Sequence, residues 1–270
     1  MIKLINIDLD NTLLFKHHYI SQENLDAIKY AMDKGVLVGM NTGRNAVSAR
    51  IYNKEIGFNA PYICCNGTIV MDNKDNVLYE SILEEKYFER CIKISKETGV
   101  PFHAFGAFEF FLVGENYQDD VVNSWGQKAI EKVRAGMVYI DSYEEFMKVK
   151  KSITKISFST MNMEEFETIK KCCESYDDWQ VTFALGKIVE INNKFDNKGI
   201  GMAHLCDMYD ISLKDVACIG DDTNDFAMFR HAGVRVAMGN AVEKLKENAD
   251  IITDTCENSG VAKAIYDLVK

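Results

Sequence analysis

Up to residue 66 the chain alternates between two patterns. Short, mostly apolar runs, "LINIDL", "VLVGMNTG" and "YICCNG", suit strands covered on both faces. Between them, apolar residues return at helical spacing. Leu25, Ile28 and Met32 follow Ser21, which can cap a helix, and a second helix is predicted over 45–56. This order predicts a parallel sheet with right-handed crossovers. After about residue 193 the alternation resumes, with helices expected over 197–209, 224–232 and 241–248 and a closing helix. The strands between them are "VACIG", "VRVAM" and "DIIT".

The middle of the chain follows another pattern. "GTIVMDNKDNVLYES" predicts a hairpin around a turn-rich centre. From about 83 to 190 the reading is helix, strand pair, helices, then strands such as "KISFST", "WQVTFAL" and "KIVEIN". Most aromatics fall here, including "PFHAFGAFEFFLV" and both tryptophans, and are read as the core of this unit. The spacing of Phe108 and Phe110 predicts a strand with one buried face. Two prolines and no Gly/Ser-rich tract leave no loose linker. The economical architecture is an α/β core of residues 1–82 and 191–270, split by an α+β domain over 83–190.

Composition narrows the partners. A hydrophobic fraction of 47% in 270 residues supplies ample core, while a net charge of -10 argues against nucleic-acid or anionic-membrane surfaces. The chain opens on the strand-like "MIKLINI", and no apolar run is long enough to span a bilayer, so a cytoplasmic protein is expected. Eight cysteines, with adjacent pairs at Cys64-Cys65 and Cys172-Cys173, show no CxxC spacing, and five histidines form no ligand motif. Buried thiols in a reducing compartment are the expectation.

Four polar clusters fall where buried parallel strands should end, or where a helix opens. Asp8 and Asp10 follow the first strand, Thr42 and Gly43 the second, and "GDDTND" (Asp221, Asp222, Asn224, Asp225) follows "VACIG"; Lys198 opens the helix after the insertion. Ligands bind at such carboxyl edges of open α/β sheets. Two carboxylates about 4 Å apart repel by about 4 kcal/mol at an effective dielectric near 20, so a cation is expected among them. The chemistry that fits is phosphoryl transfer through an aspartyl-phosphate, with Mg²⁺ neutralising carboxylates and phosphoryl oxygens. Thr42, amides around Gly43, and Lys198 can hold the oxygens where charge gathers, and a second carboxylate can shuttle the proton. His17 and His18 are read as a solvated loop and excluded as ligands. Arg44 is read equally as a substrate contact or as a brace pairing with an acid.

"DLDNTLL", "NTGR", the lysine ahead of a helix and "GDDTND" resemble, in order, the four motifs of the haloacid dehalogenase-like hydrolases. The insertion resembles the type-two (C2B) cap of the Cof-type phosphatases, and "CCNGTIV", with Asn66, resembles their strand at the cap entrance. The C-terminal stretch from "VRVAMGNAVEKL" resembles theirs closely. The resemblance implies a Rossmann-like parallel-sheet core with an α+β cap. It implies Asp8 as nucleophile and Asp10 as general acid/base. Mg²⁺ would be held by Asp8, the Asp10 carbonyl and Asp221, with Asp225 in support. Thr42, Gly43, Lys198 and Asn224 would hold the phosphoryl group, and Asn11, Arg44 and Asn66 would contact substrate or brace the site. Asn11 stands where glycine is usual in the family, and Asp222 where glycine or serine is frequent. The expected activity is hydrolysis of a small phosphorylated metabolite, a sugar phosphate above others, by a monomer or weak homodimer. A phosphomutase sharing the intermediate, and a phospho-acceptor signalling module, are the competing readings.

Overall fold

A computed structural model describes residues 1–114, 137–184 and 187–270. The chain begins β1 (Leu4–Ile7), α1 (Gln22–Asp33), β2 (Leu37–Met40), α2 (Ala46–Ile56), β3 (Tyr62–Cys64), β4 (Ile69–Met71) and β5 (Val77–Glu80). It continues α3 (Glu85–Thr98), β6 (Phe102–Gly106), β7 (Phe110–Val113), β8 (Val138–Ile140), α4 (Tyr143–Val149), β9 (Ile153–Ser159), α5 (Met163–Glu174), β10 (Trp179–Ala184) and β11 (Ile188–Asn193). It closes with α6 (Lys198–Met208), β12 (Val216–Gly220), α7 (Phe226–Phe229), β13 (Val234–Ala237), α8 (Glu243–Lys246), β14 (Ile251–Ile252) and α9 (Gly260–Leu268).

The described residues form two compact units. One comprises Met1–Arg44, Ala49–Tyr79 and Asn197–Lys270, and the other Asn45–Ser48 and Glu80–Asp196. The first unit contains a five-stranded parallel sheet in the order β14-β13-β12-β1-β2. Strand β1 is buried throughout, as its largely apolar run requires. Ser21 accepts the Asn24 N–H and caps α1 as expected.

Three elements differ from the sequence pattern. Strand β3 belongs to a separate sheet, β3-β4-β5, and is joined to the end of β2 by the parallel bridge Asn41–Ile63. Cys65 and Asn66 both have left-handed φ (52° and 59°), which turns the chain back into β4. The helix expected over 224–232 shrinks to α7. A 3₁₀ turn over Thr223–Asp225 precedes it, because the Asp225 carboxylate folds back onto the Asp221 and Asp222 amides. The helix expected over 241–248 shrinks to α8.

In the second unit a six-stranded sheet runs β10-β11-β9-β6-β7-β8. Its Phe102, Phe111, Ile156 and Phe158 pack with Phe88 and Phe146 in one apolar cluster. Phe105 and Phe110 stack on each other with ring centroids 4.7 Å apart, and both are buried. Phe108, by contrast, is exposed. It sits in the tight turn that the Gly106 N–H to Glu109 carbonyl bond closes, so it shares no strand face with Phe110. Trp179 is buried and donates to the Cys173 carbonyl, while Trp125 and Leu185 lie outside the described residues. All eight cysteines are thiols, and Cys172 alone among them is half-buried rather than buried. Among the described residues no helix is long and apolar enough to cross a membrane.

One polar residue sits poorly in β1. Asn6 is fully buried, and neither its Nδ2 nor its Oδ1 meets a partner among the described residues. An unmet buried polar group costs roughly 1–3 kcal/mol. The Asn6→Ala substitution is therefore expected to stabilise the protein by about 1–2 kcal/mol after the lost volume is counted. A denaturation midpoint that falls instead would mean that the amide is satisfied.

Candidate active site

The parallel register of β1 and β12 pairs Ile7 with Ile219, which sets the residues that follow each strand side by side. Asp8 N–H donates to the Ile219 carbonyl at 3.0 Å. Beyond it, Leu14 N–H donates to the Leu9 carbonyl and Asn11 N–H to the Leu14 carbonyl, closing a turn around Asn11 at φ 58°. Asparagine tolerates that conformation better than most residues. Gly220 ends β12 with no room for a side chain, since a Cβ there would lie 2.5 Å from the Asp225 carboxylate.

Lys198 links the two strand ends. Its side chain is fully buried, and Nζ donates to Asp8 Oδ1 at 2.5 Å and to Asp225 Oδ1 at 2.7 Å. The helix start that carries it is fixed twice. The Asn197 side chain accepts the Ile200 N–H, and Asn41 Nδ2 donates to the Lys198 carbonyl at 2.8 Å. Burial opposes the ammonium charge, but the Asp225 and Asp8 carboxylates outweigh it and raise the lysine pKa.

Asp8, Asp221 and Asp225 bring carboxylate oxygens within 4.8 Å of one another, and all three residues are buried. One lysine cannot balance three such groups. Burial, and then the repulsion of Asp225 and Asp221, raise the Asp8 pKa well above its ordinary value against the pull of Lys198. Burial and Asp225 likewise push Asp221 up to about 7. The oxygens are unequally occupied. Asp225 accepts three N–H bonds, from Lys198 Nζ and the amides of Asp221 and Asp222. Asp221 Oδ1 accepts the Thr12 hydroxyl at 2.7 Å, and Asp8 Oδ1 accepts Lys198. A carboxylate offers about four acceptor positions, so Asp8 and Asp221 keep open ones and Asp225 is nearly saturated. Buried, all-oxygen and excess in negative charge, the set fits a hard divalent cation such as Mg²⁺. Asp222 is exposed and caps the turn through the Thr223 N–H.

The Asp10 carboxylate joins a different network. Arg44 donates to it twice, from Nη2 to Oδ1 at 2.5 Å and from Nε to Oδ2 at 2.7 Å, and His17 Nδ1 meets Oδ1 at 2.9 Å. Burial alone would raise its pKa, but Arg44 and His17 win and hold it well below the usual carboxylate range. Arg44 thus braces an acid. His17 is exposed, in the solvated loop that the sequence suggests, and it also contacts an acid. Its ring seats on Asp10 because Lys16 and His17 both take left-handed φ (51° and 63°), turning the chain back after β1. In that contact the His17 pKa is raised, chiefly by its hydrogen bond to Asp10.

The remaining predicted residues line the same end of the sheet. Thr42 is buried and its Oγ1 accepts the Arg44 N–H at 3.1 Å, which leaves the hydroxyl proton to donate elsewhere. A Cβ on Gly43 would lie 2.7 Å from Asn66 Oδ1, so a side chain there would displace that amide. Asn224 Nδ2 approaches the same Asn66 Oδ1 at 3.5 Å. Asn11 is exposed, and its carbonyl accepts from Asn240 Nδ2. Thr12, His17, Asn41 and Tyr52 are contributors that motif reasoning leaves without a role.

The family model described as haloacid dehalogenase-like hydrolase matches residues 5–265. The 5-amino-6-(5-phospho-D-ribitylamino)uracil phosphatase YcsE of Bacillus subtilis is 30% identical over 264 residues, covering 98% of this chain and 94% of that protein. The pyridoxal phosphate phosphatase YbhA of Escherichia coli is 24% identical, covering 98% and 97%. A solved haloacid dehalogenase-like hydrolase from B. subtilis superposes with a TM-score of 0.84 at 25% identity, covering 98% of this chain and 99% of that one.

Proposed function

The chain belongs to the haloacid dehalogenase-like hydrolases and is a phosphatase of that family; from that premise we propose that it hydrolyses small phosphomonoesters through a phosphorylated Asp8, with Mg²⁺ as cofactor. The observation that carries this reading is the buried contact of Lys198 with both Asp8 and Asp225 beside Asp221.

Asp8 attacks phosphorus with one carboxylate oxygen. The ester oxygen leaves with its bonding pair and takes a proton from Asp10, giving an alcohol and the aspartyl-phosphate. Asp10, now a carboxylate, takes a proton from the water that attacks the same phosphorus. Phosphate departs and Asp8 is restored. Lys198, the Thr42 hydroxyl, the Gly43 N–H and the Asn224 amide hold the phosphoryl oxygens as charge gathers on them. Asp8, Asp221 and the Asp10 carbonyl would hold Mg²⁺, which supplies charge neutralisation at the phosphoryl group. Asp225 serves it indirectly, by fixing Lys198 and the amides of Asp221 and Asp222.

The inserted α+β unit carries the specificity, in the manner of a cap. Sugar or polyol phosphates are the favoured substrates, a reading supported by YcsE, whose named substrate bears a phosphoribityl chain. YbhA makes a phosphorylated cofactor the next class to try. The enzyme works in the cytoplasm on these metabolites, as a monomer or weak homodimer, without nucleic acid or membrane.

A phosphate-release screen with Mg²⁺ over sugar phosphates, polyol phosphates, pyridoxal phosphate and flavin mononucleotide tests the proposal. Release of inorganic phosphate from at least one is expected, and Asp10→Asn is expected to slow it about 10²–10⁴-fold. Isomerised substrate without free phosphate would assign a mutase instead.

A further inference from the structure

We infer that the turn over residues 15–19 aims the acid/base carboxylate: His17 and Arg44 are positioning residues that leave Asp10 one open acceptor site, on Oδ2. This rests on the acid/base role proposed for Asp10. An ionised carboxylate offers about four acceptor positions. Arg44 Nη2 and His17 Nδ1 fill both on Oδ1, and Arg44 Nε fills one on Oδ2. Among the described residues, what remains is a single direction in which Oδ2 can exchange a proton with the leaving alcohol or the incoming water.

The turn is held for this purpose from several sides. Phe15 and Tyr19 exchange backbone hydrogen bonds at 2.8 and 3.0 Å, closing it. Arg44 Nη2 donates to the His17 carbonyl at 2.7 Å while also gripping Asp10, so one guanidinium fixes both partners. That guanidinium lies 4.7 Å over the Tyr52 ring, and the Tyr52 hydroxyl donates to the same His17 carbonyl at 3.2 Å. Lys16 and His17 keep left-handed backbones, which are uncommon for residues with a Cβ. A strained turn with no glycine, clasped at its carbonyl and presenting a ring to Asp10, is a built positioning device. Its residues 16–19 lie at the surface, exposed.

Variants at His17 separate aiming from folding. His17→Gly suits the left-handed backbone but removes the donor; His17→Asn also suits it and keeps an N–H near the position of Nδ1. With p-nitrophenyl phosphate as probe, His17→Gly is expected to lower kcat about 10-fold with KM within twofold of the parent, the usual scale for a lost orienting partner. His17→Asn is expected to recover most of that loss, at an unchanged denaturation midpoint. Wild-type kcat in His17→Gly, or an equal loss in both variants, overturns the inference. Asp10→Asn run beside them keeps the two readings apart. If it leaves kcat intact, the acid/base assignment fails. If it collapses kcat while His17→Gly is silent, the aiming role fails alone.

Discussion

Asp8→Asn is expected to abolish turnover, by roughly 10⁴-fold or more, the scale seen when a nucleophile is removed. The reason is local. An amide oxygen is a poor nucleophile towards phosphorus, and no other carboxylate in the cluster can replace it. Asp225 has its oxygens committed to Lys198 and to two backbone amides, and Asp221 is tied to Thr12. The fold should survive. Asparagine keeps an oxygen for Lys198 Nζ to donate to, and the change removes one of three like charges packed within 4.8 Å. Lys198 retains a charged partner in Asp225 at 2.7 Å. The check is phosphate release together with a denaturation midpoint and a search for phosphorylated protein. Activity above about one part in a hundred, in a variant as stable as the parent, would mean that another group attacks phosphorus.

Much of the site can be read from sequence because chemistry and position coincide there. Asp8, Asp221 and Asp225 follow apolar runs that can only be buried strands, and acids so placed are costly without a reason. Lys198 has a weaker signal of its own and becomes legible only beside the other motifs. What escapes is whatever depends on register and on turn geometry. Thr12 reaches Asp221 across 209 positions, a partnership set by the pairing of β1 with β12 and not by local pattern. His17 reaches Asp10 because two non-glycine residues take left-handed φ, a conformation that "KHHY" does not announce. The strand at β3 is legible but its sheet is not, since the reversal begins at Cys65, whose residue type does not announce a left-handed φ. Likewise the end of the "GDDTND" segment reads as helix until the Asp225 carboxylate is seen to occupy the amides that would start one earlier.

Mg²⁺ should stabilise the protein more strongly as pH rises, and chelation at neutral pH should stop catalysis. Without metal, Asp221 titrates in the folded protein near pH 7, against about 4 for an unfolded aspartate. Between those values the folded state binds more protons than the unfolded one, so stability falls as pH increases. That stabilisation is full below the unfolded value and is lost as pH rises through the folded one. Asp8, raised in the same direction by burial and by its acidic neighbours, adds to the decline. Asp10 has the opposite sign. Held low by Arg44 and His17 against burial, its contribution is intact above pH 4 and is lost only in stronger acid. A divalent cation requires the ionised forms of Asp8 and Asp221 and binds the folded state alone, so its stabilisation grows as those groups lose their protons. Denaturation midpoints at pH 5 and pH 8, with Mg²⁺ and with chelator, measure the difference. A large Mg²⁺ effect is expected at pH 8 and a small one at pH 5, and Asp221→Asn should flatten the metal-free decline. Equal midpoints with and without Mg²⁺ at pH 8, in protein that still releases phosphate under chelation, would leave the buried acids without the counterion their packing demands.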